Sequence, residues 1–123
     1  VVHGNDGLDE ISCCDTTRVT ELKDGSLRSY EIYPEMFLGE SYDMADIAGG
    51  DPTQNAAILR SVIDGEDHGA PRAVVLLNAA AACYVAGRAK DLAEGVALAA
   101  ASIDSGAAAA KLATLIAESR AAA

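Results

Sequence analysis

"GGDPTQNAAILRSVIDG", residues 49–65, is where the hydrophobic period of the chain changes, and with it the kind of fold the chain can make. Asp51 can accept hydrogen bonds from orphan amides, Pro52 suits a first helical position, and Gln54 stands where a capping box places its glutamine. The sequence therefore predicts a helix from about Pro52 to Asp64, stopped by Gly65. Ala56, Leu59 and Ile63, with Ile58 and Val62, mark its expected inward faces. Two glycines before the helix also make its N-terminus a place that could receive an anion.

Downstream of Gly65 the helical period persists. "AVVLLNAAAACYVAG", residues 73–87, belongs to a second helix expected from about Pro71 to Gly87. It is apolar almost all round, so it should be enclosed by other elements. Interrupted by Asn78, it is too short to span a bilayer. A third helix is expected over 89–105 and a fourth over 107–120, with Gly106 as the break. Leu92, Val96, Ile103, Leu112, Leu115 and Ile116 keep helical spacing through the alanines.

Upstream the period is that of strands. "VVHG", residues 1–4, is a short apolar run. "TRVTEL" and "SLRSYEIYP" flank "KDGS", in which Asp24-Gly25 can supply the positive φ values of a tight hairpin. Tyr30 and Ile32 alternate with Ser29, Glu31 and Tyr33, as on a strand with one wet face. From Pro34 to Gly50 only a loop or a single helical turn is expected. Residues 1–50 are thus the strand and hairpin part and 51–123 the helical part. Strands followed by helices suggest α+β, although a strand whose parallel partners lie outside the chain would read the same way.

The totals narrow the function. The 123 residues suit one domain, and a formal charge of −10, from 19 acidic and 9 basic side chains, opposes binding to nucleic acid or to anionic membrane surfaces. Cys13, Cys14 and Cys83 form no spaced disulfide or zinc framework, which fits a reducing cytoplasm. Cys13 and Cys14 have no visible activating base, Cys83 reads as a small buried hydrophobe, and His3 at a strand end reads as a packing or hydrogen-bonding group. Asn78 is expected to satisfy a buried backbone group or a partner side chain. No P-loop or dinucleotide fingerprint is present.

One feature stands apart. "HGNDGLDEIS", residues 3–12, sets Asp6, Asp9 and Glu10 among glycines with only His3 nearby as a cation. Adjacent carboxylates repel unless something positive compensates. A solvated acidic loop is one reading. The other is a hard divalent ion held by Asp9 and Glu10, as magnesium takes one or two protein carboxylates and leaves its other positions to water and phosphates.

"VVHGNDGLDEIS", "TRVTELKDG", "GGDPTQNAAILRSVIDGE" and "AVVLLNAAAACYVAGRAKDLAEGVALAAASIDSGAAAAKL", in this order, resemble the C-terminal third of anthranilate phosphoribosyltransferase. The resemblance implies an α/β fold: the C-terminal part of a nucleoside phosphorylase/phosphoribosyltransferase-like catalytic domain, with strands and a hairpin followed by about four helices. It implies the glycosyltransferase step of tryptophan biosynthesis in which anthranilate displaces pyrophosphate from phosphoribosyl pyrophosphate. It also implies that the DGLDE motif binds Mg2+ through Asp9 and Glu10.

No catalytic residue and no anthranilate contact carries over. The family's GTGGD and KHGN segments, and the helical domain through which the enzyme is usually a homodimer, would lie in the earlier two thirds. The chain alone is therefore expected to be inactive. "SCCDTT" and "MFLGESYDMADIAGG" are looser than the family's usual text. A pyrimidine nucleoside phosphorylase-like enzyme of the same fold, or a non-catalytic helical interaction module, are the alternatives.

Overall fold

A computed structural model describes residues 1–122. Three strands, β1 (Val2–Gly4), β2 (Thr17–Lys23) and β3 (Ser26–Ile32), form an antiparallel sheet in the order β1-β2-β3. The β2–β3 hairpin closes through Asp24 (φ 49°) and Gly25 (φ 76°), the two positive φ values of a type I′ turn, as the sequence predicts. Register pairs Val19 with Tyr30 and Thr17 with Ile32. These residues turn inward, while Arg18, Leu22, Leu27, Ser29 and Glu31 face solvent.

After β3 come α1 (Glu35–Leu38), a 3-10 turn (Met44–Ile47), α2 (Pro52–Ile63), α3 (Ala70–Val85), α4 (Leu92–Asp104) and α5 (Ala107–Ala121). The architecture is α/β. The segment 34–50, expected as a loop or one helical turn, holds two short turns. The helix starts have local causes. Asp51 caps α2 by accepting from the amides of Thr53 (2.8 Å) and Gln54 (2.9 Å), with Gln54 closing the capping box. The aspartate thus occupies the amides that the sequence left open to an anion, so that expectation is withdrawn. Asp91 caps α4 through the Glu94 amide, which moves the start of this helix from the expected Ala89 to Leu92.

Two clusters make the core. Ile11, Cys13, Val19, Ile32, Ala70, Ala73 and Leu77 join the sheet to α3, and Val62, Leu76, Ala99 and Ile103 join α2, α3 and α4. α3 and α4 approach closely because Gly95 has no side chain: a Cβ there would stand 2.6 Å from the carbonyl oxygen of Ala80. Close contact through small residues is how a chain with one Phe and no Trp fills its interior.

Three burial expectations fail. On α2 only Val62 is buried, whereas Ile58 and Leu59 are exposed along a groove of about 400 Å3 shared with Ile47, Val74 and Val75. α2 meets α3 through Val62, packed with Leu76, and leaves Ile58 and Leu59 open. α3 is enclosed along Ala70, Ala73, Leu76, Leu77 and Ala80, but Val75 is exposed and Val85, at its free end, is 85% exposed. Cys83, near that end, is half-buried rather than buried. Among the described residues no single helix is long and apolar enough to cross a membrane.

Candidate metal-holding loop

The acidic stretch forms a loop leaving β1. Gly4 is buried, and its amide donates to the Leu8 carbonyl (2.8 Å), while the Gly7 amide returns to the Gly4 carbonyl (3.0 Å). Two glycines are required here. A Cβ on Gly4 would come 2.5 Å from Asp6 Oδ1, and Gly7 has φ +100°, where a side chain is strained. Asp6 is the hub of the loop: its carboxylate accepts from the Leu8 amide (3.1 Å) and from the Ser12 hydroxyl. Of the three carboxylates in the stretch, Asp6 is therefore committed to structure.

The far end of the loop is tied to α3. Ile11 is 2% exposed, and its amide and carbonyl both bond to Asn78: Oδ1 accepts from Ile11 N and Nδ2 donates to Ile11 O, each at 2.9 Å. Nδ2 also donates to the Val74 carbonyl (2.9 Å), which fixes the amide plane. The expectation that Asn78 serves a buried backbone group holds, and the group it serves adjoins Glu10.

Between Asp6 and Ile11 stand Asp9 and Glu10, both exposed. Among the described residues the ion pairs are Arg28–Glu21 and Arg72–Asp104, and neither uses the acidic pair. His3 is exposed on β1, opposite Arg18. Neither carboxylate lines the groove beside α2 or the cleft described below, so the pair sits on open surface.

No group of three or more His, Cys, Asp or Glu side chains is placed to share an ion among the described residues. Two hard oxygen donors on an anchored loop do not make a closed protein cage. They do suit a magnesium ion that keeps its waters and takes its other ligands from a substrate phosphate.

The remaining polar chemistry lies elsewhere. Burial first, and then the Cys14 thiol, push Cys13 up to about 12, so it is a protonated thiol at neutral pH. At the hairpin end, Glu21 accepts from Tyr84 of α3 and from Arg28 (3.0 Å), while Lys23 donates to the Tyr84 hydroxyl (3.2 Å). The Tyr84 hydroxyl, and after it Arg28, hold the Glu21 carboxyl below the usual carboxylate range. This network borders a cleft of about 960 Å3 between the hairpin and the C-terminal end of α3. Sequence reasoning missed it because Glu21 and Tyr84 are 63 residues apart and belong to no motif. The Asp6 hub was missed because its partners, the Leu8 amide and the Ser12 hydroxyl, follow from the loop's conformation and from no motif.

Known proteins carry the same arrangement of elements. Anthranilate phosphoribosyltransferase of Rhodopseudomonas palustris strain HaA2 is 57% identical over 123 residues, covering 99% of this chain and 36% of that protein. The crystal structure of the anthranilate phosphoribosyltransferase of Thermus thermophilus superposes with a TM-score of 0.84 at 37% identity, over 95% of this chain and 34% of that one. That of Saccharomyces cerevisiae, in complex with PRPP and Mg, gives 0.79 at 31% identity, over 90% and 32%. The chain spans about a third of the length of the curated relatives it matches. A family model described as "Glycosyl transferase family, a/b domain" matches residues 1–109, loop and hairpin included, and the chain belongs to that family.

Proposed function

We propose that this chain is one part of the α/β domain of an anthranilate phosphoribosyltransferase, in which Asp9 and Glu10 hold the magnesium that accompanies the pyrophosphate of phosphoribosyl pyrophosphate. The observation that carries this reading is an exposed pair of adjacent carboxylates, free of any internal ion pair among the described residues, on a loop fixed at one end by Asp6 and at the other by Asn78. A solvated acidic loop needs no such anchoring. The relatives' names, and the yeast enzyme's complex with PRPP and Mg, favour this reading over a pyrimidine nucleoside phosphorylase or an interaction module.

Bound magnesium would neutralise the charge that develops on the departing pyrophosphate. The chain's own work is positional. Asp6 and Asn78 keep Asp9 and Glu10 together despite their repulsion, so the loop need not reorganise when a cation and its phosphates arrive. The groups that touch the ribose and anthranilate belong to the other two thirds of the enzyme, and this chain alone turns over nothing. The reaction suits a reducing cytoplasm, where three unpaired thiols persist. The whole enzyme works as a homodimer through its other domain.

The test is a pair of variants in the polypeptide that carries this chain. Asp9→Asn and Glu10→Gln should each raise the magnesium concentration for half-maximal phosphoribosyl transfer to anthranilate. Together they should lower kcat/KM for phosphoribosyl pyrophosphate by about 100-fold or more. A double variant with the parent's activity and magnesium response would overturn the assignment, and thymidine phosphorolysis without anthranilate turnover would replace it with the phosphorylase.

A further inference from the structure

Cys13 and Cys14 are neighbours in sequence, and in extended chain neighbouring side chains point to opposite sides. Here they do not. Ser12 Oγ accepts from the amides of both Cys14 (2.9 Å) and Asp15 (3.1 Å), and the bend this enforces turns the two thiols to one side, with Sγ···Sγ 3.8 Å. Cys13 is fully buried, its sulfur against the Ala70 carbonyl, and its own carbonyl is held by the Tyr42 amide (3.0 Å). Cys14 is half-buried and is the way in.

A disulfide between these two neighbours is strained. It needs Cα atoms about 4.4–6.8 Å apart, and consecutive residues offer about 3.8 Å. One bridging atom fits better. An atom bonded to both sulfurs at about 2.3 Å, the length of a zinc–thiolate bond, sets them about 3.3–3.6 Å apart at the pyramidal angle of trivalent arsenic, about 90–105°, within about half an ångström of the observed separation. Burial then selects the kind of atom. A divalent cation would require two thiolates in a site that disfavours charge, whereas a trivalent arsenical forms a neutral product.

We propose that Cys13 and Cys14 form a dithiol site for trivalent arsenicals. With phenylarsine oxide the step is C6H5AsO + 2 RSH → C6H5As(SR)2 + H2O: two S–H bonds and the arsenic–oxygen bond break, two arsenic–sulfur bonds form, both protons leave on the oxygen as water, and nothing is oxidised or reduced.

The experiment treats the folded polypeptide that carries this chain with phenylarsine oxide and follows intact mass. The expected result is one adduct per chain that survives excess 2-mercaptoethanol and is released by 2,3-dimercaptopropanol. Cys14→Ser should lose the monothiol-resistant adduct, Cys13→Ala should do the same, and Cys83→Ser should keep it. Because Cys13 is in the core and its replacement can impair folding, the half-buried Cys14 variant decides the matter. No adduct, an adduct displaced by the monothiol, or one lost only with Cys83, would overturn the proposal. None of these readouts depends on phosphoribosyl transfer.

Discussion

Replacing Asn78 should reveal whether this residue acts through its hydrogen bonds or through its volume. Asn78→Leu keeps a side chain of similar size and excludes water, so both polar groups of Ile11, a residue 2% exposed, lose their partner and gain none. Each unsatisfied group costs about 1–3 kcal/mol. The bond to Val74 adds little, since that carbonyl also lies within the α3 hydrogen-bond ladder. The better helix propensity of Leu returns about 0.5 kcal/mol, which leaves a net loss of about 1.5–5.5 kcal/mol. A domain of this length holds roughly 6–18 kcal/mol in all.

Asn78→Ala opens room for a water to bond Ile11 from the half-exposed side, and should cost less than Leu although it deletes more atoms. Urea unfolding followed by far-UV circular dichroism gives both numbers, and amide exchange should show Ile11 losing protection by about 10-fold or more in the Leu variant. If Ala costs as much as Leu or more, Asn78 fills space and the argument from hydrogen bonds is wrong.

Other outcomes are expected. Gly95→Ala drives a Cβ into the Ala80 backbone at 2.6 Å and should destabilise by about 1–3 kcal/mol despite the helix propensity it gains, read as a lower urea midpoint at unchanged slope. The Glu21 carboxyl is held low in the folded state, so its contribution is whole above the unfolded pKa of about 4.3 and is lost as pH falls through the folded value. Glu21→Gln should therefore flatten the acid limb of a stability–pH profile, and an unchanged limb would assign that slope to other carboxylates. Asp9→Asn should leave the urea midpoint unchanged or slightly raised, because it relieves repulsion with Glu10 and breaks no ion pair among the described residues; a marked fall would make Asp9 structural.

How much of this was legible in the sequence depends on whether the signal was local. Asp24-Gly25, the Asp51-Pro52 cap and Gly65 and Gly106 (φ 79° and 78°) act on their own neighbours, and the hairpin and helices follow from them. Asn78 was legible as a lone amide in an apolar helix, but its partner Ile11 was not. Ile58 and Leu59 were misread because helical period marks an apolar face without saying whether anything covers it. Val85 fails for the same reason. In the acidic loop, composition could not tell Asp6, turned inward to Ser12 and Leu8, from Asp9 and Glu10, turned outward. Adjacency marked the last two as a pair, the DGLDE resemblance gave that pair a role, and the hydrogen bonds now supply the physical distinction from Asp6.

The bond between Asn78 and Ile11 also sets an order of events during synthesis. The two residues are 67 positions apart, so at about 5–20 residues per second the ribosome adds Asn78 about 3–13 s after Ile11. Throughout that interval the nascent acidic segment has Asp6, Ser12 and its glycines but lacks the helix that closes it. Its two outward carboxylates therefore gain their fixed spacing only when α3 docks, after the hairpin between them in the sequence has already been made. A growing chain that carries both acids is thus not yet a preorganised ligand for a cation, and that competence arrives with tertiary assembly.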